Sequence, residues 1–183
     1  MTAGWQNTTT SSWGSSERMQ AEPFFHLTVE GAPIAKGRPR MTKRGTVYTP
    51  EKTRRYERLI AELTRLRMGA RLPTENPCIV HVCALFEIPH SWTVKRKMQT
   101  LAEGGFHTSK PDLDNVAKSA IDGICGERGA ILDDKQIVEL CAFKSYGGME
   151  RLMIDVFEVH NVVDRFSNRW RAWESGEVAV GPV

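Results

Sequence analysis

Cys78-Ile-Val-His-Val-Cys-Ala-Leu-Phe-Glu-Ile88 is the stretch on which the reading of the fold turns. Val80, Val82, Ala84, Phe86 and Ile88 fall on alternate positions, the period-two pattern of a strand with one buried face, and Pro89 breaks it. A weaker strand precedes it, where Phe25, Leu27 and Val29 alternate with His26, Thr28 and Glu30. Gly31-Ala-Pro33 ends that strand. Two more strands follow later, over residues 136–145 and Arg151–Val159, with Gly147-Gly148 as the hairpin turn between them.

Helical patterns fill the intervals. Thr49-Pro50-Glu51 is a helix start: a capping hydroxyl, proline at the first helical position, then an acid favoured by the helix dipole. Tyr56, Leu59, Ile60, Leu63 and Leu66 follow at helical spacing, and the helix stops near Gly69. Ser91 is placed to cap a short helix over Trp92–Glu103. Asn115–Cys125 carries an apolar stripe of Val116, Ala117, Ala120, Ile121 and Ile124. Between the first strand and first helix, residues 35–48 form a basic loop or hairpin turning near Arg44-Gly45. The order β, basic hairpin, α, β, α, α, β, β predicts an α+β fold: a single domain with a mixed or mostly antiparallel sheet and helices on one side.

The domain is expected over residues 22–160. Residues 1–21 are Ser/Thr-rich and predicted disordered, with Trp5 and Trp13 unassigned; residues 161–183, with Trp170 and Trp173, form a C-terminal extension that docks or stays flexible. No apolar run approaches the roughly 20 residues of a membrane span, and the first residues lack a signal-peptide layout, so a soluble cytoplasmic protein is expected. Cys78, Cys83, Cys125 and Cys141 form no C-x-x-C pair and have no histidine at zinc-finger spacing. Cys78 and Cys83 fall on opposite faces of their strand. Four buried, reduced thiols are the expectation.

The net charge of +3 hides an uneven distribution. Ile34–Arg71 holds twelve Lys/Arg and three acids, +9, which leaves −6 for the rest of the chain. Clustered cations displace counterions from a phosphate backbone, so a nucleic acid is the partner this pattern suggests, against the alternative of a solvated Arg-rich helix face. Within the segment, Lys36, Arg38, Arg40, Lys43 and Arg44 are the candidate phosphate contacts, with Lys110 a further one. Tyr48 is a candidate to stack on an unpaired base, though a tyrosine before a helix is more often core.

The acids supply the chemistry. Asp112 and Asp114 stand one residue apart at the start of a predicted helix, and in an extended segment alternate side chains share a side. A Gly-framed loop between Gly126 and Gly129 can return the chain, bringing Asp133 or Asp134 beside them. Three converging carboxylates need a cation, and all-oxygen ligands favour Mg²⁺ or Mn²⁺, an ion that orients a water and offsets charge on a phosphodiester oxygen. Taken singly, each part has a structural reading: Asp114 or Asn115 as a helix cap, and the Asp133-Asp134 pair as a turn. Lys118, four residues after Asp114, either contacts the scissile phosphate or forms an exposed pair with Asp114 or Asp122. Lys110 carries the same two readings. His107 is read as polar surface rather than a proton shuttle.

Three stretches together resemble the RusA family of Holliday-junction resolvases, particularly its phage and prophage members. They are Gly31-Ala-Pro-Ile-Ala-Lys-Gly-Arg-Pro-Arg40 running on to Tyr48-Thr-Pro50, His107-Thr-Ser-Lys-Pro-Asp-Leu-Asp-Asn-Val-Ala-Lys118 with Ile121-Asp-Gly123, and Asp133-Asp-Lys-Gln-Ile-Val-Glu139. The likeness spans about residues 24–159. It implies a homodimer that binds four-way DNA junctions in recombination and repair and nicks two opposed strands symmetrically, using Mg²⁺ or Mn²⁺. It also implies a catalytic set of Asp112, Asp114, Asp134 and Lys118, and a phage or prophage origin in a bacterial cytoplasm; Asp133 and Asn115 remain further candidates from the residues alone. Two other readings stay open: a branched-DNA binding protein without cleavage, and a phosphotransfer enzyme acting on small nucleotides. The head and the tail match no feature of the family.

Overall fold

A four-stranded mixed sheet forms the centre of the protein, in the order β1-β6-β4-β5. The structure is a computed structural model that describes residues 22–159 apart from 39, 42, 44 and 46. The Arg40 side chain, Arg44, and the four tryptophans of the head and tail therefore lie outside the described residues. The elements in chain order are β1 (Phe25–Glu30), β2 (Arg40–Met41), β3 (Val47–Tyr48), α1 (Glu51–Met68), β4 (Cys78–Glu87), α2 (Val94–Glu103), α3 (Leu113–Ile124), a 3₁₀ turn (Asp134–Gln136), β5 (Ile137–Gly147) and β6 (Arg151–Glu158).

β4 is flanked on both sides, as its long apolar alternation requires. It pairs antiparallel with β6, Val82 opposite Ile154, and parallel with β5, Val82 opposite Ala142. β1 adds antiparallel to β6, Leu27 opposite Ile154. Phe25, Leu27, Val29, Val80, Val82, Leu152, Ile154 and Val156 are buried with Tyr56 and Ile60 of α1 and Val116, Ala120 and Ile124 of α3. These two helices thus cover one face of the sheet, and the α+β expectation holds. Each fully buried side chain of this size stabilises the fold by about 1.5–3 kcal/mol over its exposed state.

The hairpin expected at Gly147-Gly148 does not form. β5 and β6 lie on opposite sides of β4, so residues 148–150 cross the end of that strand. Two strand spacings are roughly 10 Å, within reach of the four Cα steps from Gly147 to Arg151. The glycines marked a turn correctly. They could not say which strand lay between its arms.

Local starts and faces also differ from the pattern. α1 is preceded by Pro50 in the cap position without a side-chain cap, so Thr49 does not serve. Thr93, not Ser91, caps α2, its hydroxyl accepting from the Arg96 N–H at 3.4 Å. On α1, Leu59 and Leu66 are exposed while Thr53, Thr64 and Met68 are buried, so the buried stripe is rotated from the one its leucines suggested. All five expected residues of α3 are buried. Of the four free cysteines only Cys78 is fully buried, and Cys141 is exposed on the edge strand β5. Cys83 and Cys125 are half-buried, and burial raises both thiols, to about 11 and about 12.

Gly123 sets how closely α3 meets α1. A Cβ there would stand 2.5 Å from both Cβ and Cγ2 of Ile60, so only glycine allows the approach. Gly129 does the same for the loop after α3, where a Cβ would stand 2.2 Å from the Ile124 carbonyl oxygen. That loop is cinched by Ala130 N–H donating to Ile124 O at 2.8 Å and Gly126 N–H to Ile131 O at 3.0 Å. The chain is thereby folded back toward α3 before Asp133.

Candidate acidic and nucleic-acid site

Asp112 occupies the cap position of α3 with extended backbone, but its carboxylate makes no capping hydrogen bond. Asp114 lies in the first helical turn, so the alternate-residue argument for an extended pair does not apply to it. Its Oδ1 accepts from Asn115 Nδ2 at 3.3 Å. Neither Asp114 nor Asn115 is the cap. Asp112 and Asp114 are exposed, and the positive end of the helix dipole favours both charges by about 0.3–1 kcal/mol each.

The two later aspartates divide their duties. Asp133 caps the 3₁₀ turn: its Oδ1 accepts from Lys135 N–H at 3.0 Å, and Gln136 Oε1 accepts from Asp133 N–H at 2.8 Å. The hydrogen bond from Lys135 N–H holds the Asp133 carboxyl below its ordinary range. Asp134 is turned the other way, its Oδ2 2.8 Å from Lys118 Nζ.

Lys118 also stands 3.2 Å from Asp122 Oδ1, one turn further along α3. Asp122 in turn pairs with Lys36 of the basic loop, and Lys36 lies 3.6 Å from Glu57 of α1. The result is a line of alternating charge, Glu57–Lys36–Asp122–Lys118–Asp134. The Asp134 hydrogen bond raises the Lys118 pKa, and the Asp122 hydrogen bond raises that of Lys36. In the sequence Asp122 reads only as an exposed i,i+4 partner, and nothing there shows that Lys36 closes on it. The spacing along α3 held the first half of that signal; the second is tertiary.

The basic loop is docked on this site. Lys36 N–H donates to Asn115 O at 2.8 Å, and Gly37 N–H to Thr53 Oγ1 at 3.0 Å. β2 and β3 then form the expected hairpin, Arg40 opposite Tyr48 and Met41 opposite Val47. Arg38, Lys43 and Lys110 are exposed, as is Tyr48, which is not a core residue. Lys36 is the exception among the expected phosphate contacts, since its ammonium is held by carboxylates.

His107 is buried, contrary to the polar-surface reading. Its ring stacks on Phe86 at 4.2 Å and meets Tyr146 edge-on at 4.9 Å, with Nδ1 lacking a hydrogen-bond partner. Burial, then the nearby Lys144 charge, lowers its pKa. A loop histidine gives no sequence signal for such a seat.

Among the described residues, no three His, Cys, Asp or Glu side chains form a group able to hold a metal ion. Lys118 and Asp134 are brought together, while Asp112 and Asp114 have no ion-pair partner among the described residues. In donor type Asp112, Asp114 and Asp134 each offer the carboxylate oxygens a hard dication prefers, and the first two are solvent-facing with no cation beside them among the described residues. No helix among the described residues is long and apolar enough to cross a membrane.

Comparison with known proteins agrees with the residues. The chain is similar to the uncharacterized protein YqaN of Bacillus subtilis (strain 168), 31% identical over 138 residues that cover 73% of this chain and 95% of that one. The family model described as endodeoxyribonuclease RusA matches residues 30–157, from the end of β1 into β6, and so takes in the docked basic loop, the aspartates of α3, Lys118 and Asp134. This chain belongs to the RusA family of endodeoxyribonucleases.

Proposed function

We propose that this endodeoxyribonuclease resolves four-way DNA junctions by paired symmetric nicks, acting as a homodimer with Mg²⁺ or Mn²⁺. What supports the reading is one hydrogen bond, Lys36 N–H to Asn115 O at 2.8 Å, which seats the +9 segment against the acidic end of α3. A cationic surface that delivers a phosphodiester thereby adjoins carboxylates able to handle it.

Asp112, Asp114 and Asp134 are the residues that would hold the ion. When bound, such an ion offsets the negative charge that develops on the phosphodiester oxygens. Lys118 acts as a fixed charge rather than a base: a lysine ammonium is protonated at neutral pH by its ordinary pKa, and the Asp134 hydrogen bond raises that pKa further. Set beside Asp134, that ammonium is placed to neutralise a phosphate oxygen or the leaving oxygen. Asp133 is committed to its turn, while Asn115 docks the loop through its main-chain oxygen and turns its side-chain amide to Asp114. Arg38, Lys43 and Lys110, with Arg40 and Arg44, contact phosphates along the arms, whereas Lys36 orients the loop that carries Arg38, Arg40, Lys43 and Arg44. Two sites related by a dimer axis suit a junction with two-fold symmetry.

The test uses a synthetic four-way junction and a linear duplex of the same sequence, each with Mg²⁺ or with EDTA. Symmetric nicks in the junction alone, abolished by EDTA, are expected. Tight binding with no nicks in any metal would point to a junction-binding protein instead. Hydrolysis of free nucleotides with an intact junction would point to a small-nucleotide enzyme.

A further inference from the structure

The loop that carries Asp112 is held from beneath by a residue outside the acidic set. Lys144, in β5, donates from Nζ to the carbonyl oxygens of Ser109 at 2.6 Å and Pro111 at 2.5 Å. Its backbone carbonyl accepts from His107 N–H at 3.2 Å. One lysine therefore ties residues 107, 109 and 111 to a strand that is itself laddered to β4. Lys144 lies opposite Ala84 in that ladder, a position where the apolar helix-covered face would otherwise take a hydrophobic residue. A charged side chain gives up hydration there, and the two carbonyls replace it.

Resting on the reading of Asp112 and Asp114 as cation ligands, we propose that Lys144 is a positioning residue that fixes the approach to α3 and so sets the site's affinity for the ion. It touches neither carboxylate. Its effect runs through the backbone of residues 109–111, one step behind the groups that hydrogen-bond a ligand directly; loss of those weakens metal binding about 10–100-fold, and the lower end of that range is expected here.

The measurement is direct Mn²⁺ binding by the full-length protein, followed by calorimetry or by the loss of free Mn²⁺ spin signal, without DNA. Lys144→Met keeps the aliphatic stem and removes the donors. Its Mn²⁺ dissociation constant should rise about tenfold or more, with a melting temperature in EDTA within a few degrees of wild type. Lys144→Arg, which can still donate to both carbonyls, should return the affinity to within about threefold of wild type, on the strength of its forked donors. Should the methionine variant fail to fold, Lys144→Gln decides: one neutral donor should leave an intermediate loss. Wild-type affinity in a folded Met or Gln variant would overturn the role of Lys144 alone. Absence of Mn²⁺ binding by the wild type would overturn the acidic site, and the role of Lys144 with it.

Discussion

Lys118 Nζ and Asp134 Oδ2 lie 2.8 Å apart, joining the middle of α3 to the turn that precedes β5. Both side chains are about half exposed, so the pair adds little to stability, roughly 0–1 kcal/mol. The fold depends little on this contact, and the role proposed for Lys118 can be tested without unfolding the protein. Lys118→Met should therefore leave the melting temperature within a few degrees while lowering junction cutting about 10²–10³-fold. Melting curves beside single-turnover cleavage rates check this. A variant that melts far earlier and cuts normally would assign the lysine to the fold.

The neighbouring aspartates should separate cleanly. Asp133→Ala removes the turn cap and should cost about 0.5–2 kcal/mol in denaturant unfolding, with cutting by the folded fraction within a few-fold of wild type. Asp134→Asn should do the reverse, sparing stability and lowering cutting by orders of magnitude. The opposite assignment of losses would exchange the roles proposed for the two residues.

Gly123→Ala tests the seam between α1 and α3. The added methyl meets Ile60, whose branched Cβ cannot rotate away, so overpacking of about 1–3 kcal/mol should outweigh the roughly 1 kcal/mol that alanine gains in helix propensity. Ile60→Val shortens the far arm only and should not rescue it; Ile60→Ala with Gly123→Ala should recover part of the loss. Simple additivity of the two losses in urea titrations would show that the residues do not meet.

His107 should make the fold acid-sensitive. Its folded pKa lies below 6.5, so between that lowered value and 6.5 the unfolded chain binds more proton. Stability therefore falls as pH drops through this window, by up to about 1.4 kcal/mol per pH unit. His107→Phe preserves the stack on Phe86 and should flatten that part of the profile. Equal slopes for the two proteins from pH 7 to 5 would place the titration elsewhere.

Much of this was legible in the sequence, and the misses share a cause. The alternation in β4, the stripe on α3 and the basic hairpin follow from local spacing, and each appears where that spacing puts it. What failed depended on a third element. The Gly147-Gly148 turn is real, but β4 lies between its arms. The capping role of Asp133 needed the 3₁₀ turn, and the partner of Lys36 needed α3 packed beside the loop. His107 and Lys144 gave no signal, because a buried ring and a lysine bound to backbone carbonyls look like surface residues when read in line.

Asp114→Asn probes the acidic nuclease site proposed at the start of α3. The substitution removes one charge from an exposed carboxylate and leaves the shape unchanged. Junction binding in EDTA and Mg²⁺-dependent cutting of the same labelled four-way junction are measured side by side. Binding within a few-fold of wild type and no detectable nicks are expected. Junction resolution at the wild-type rate would contradict the assignment of that site.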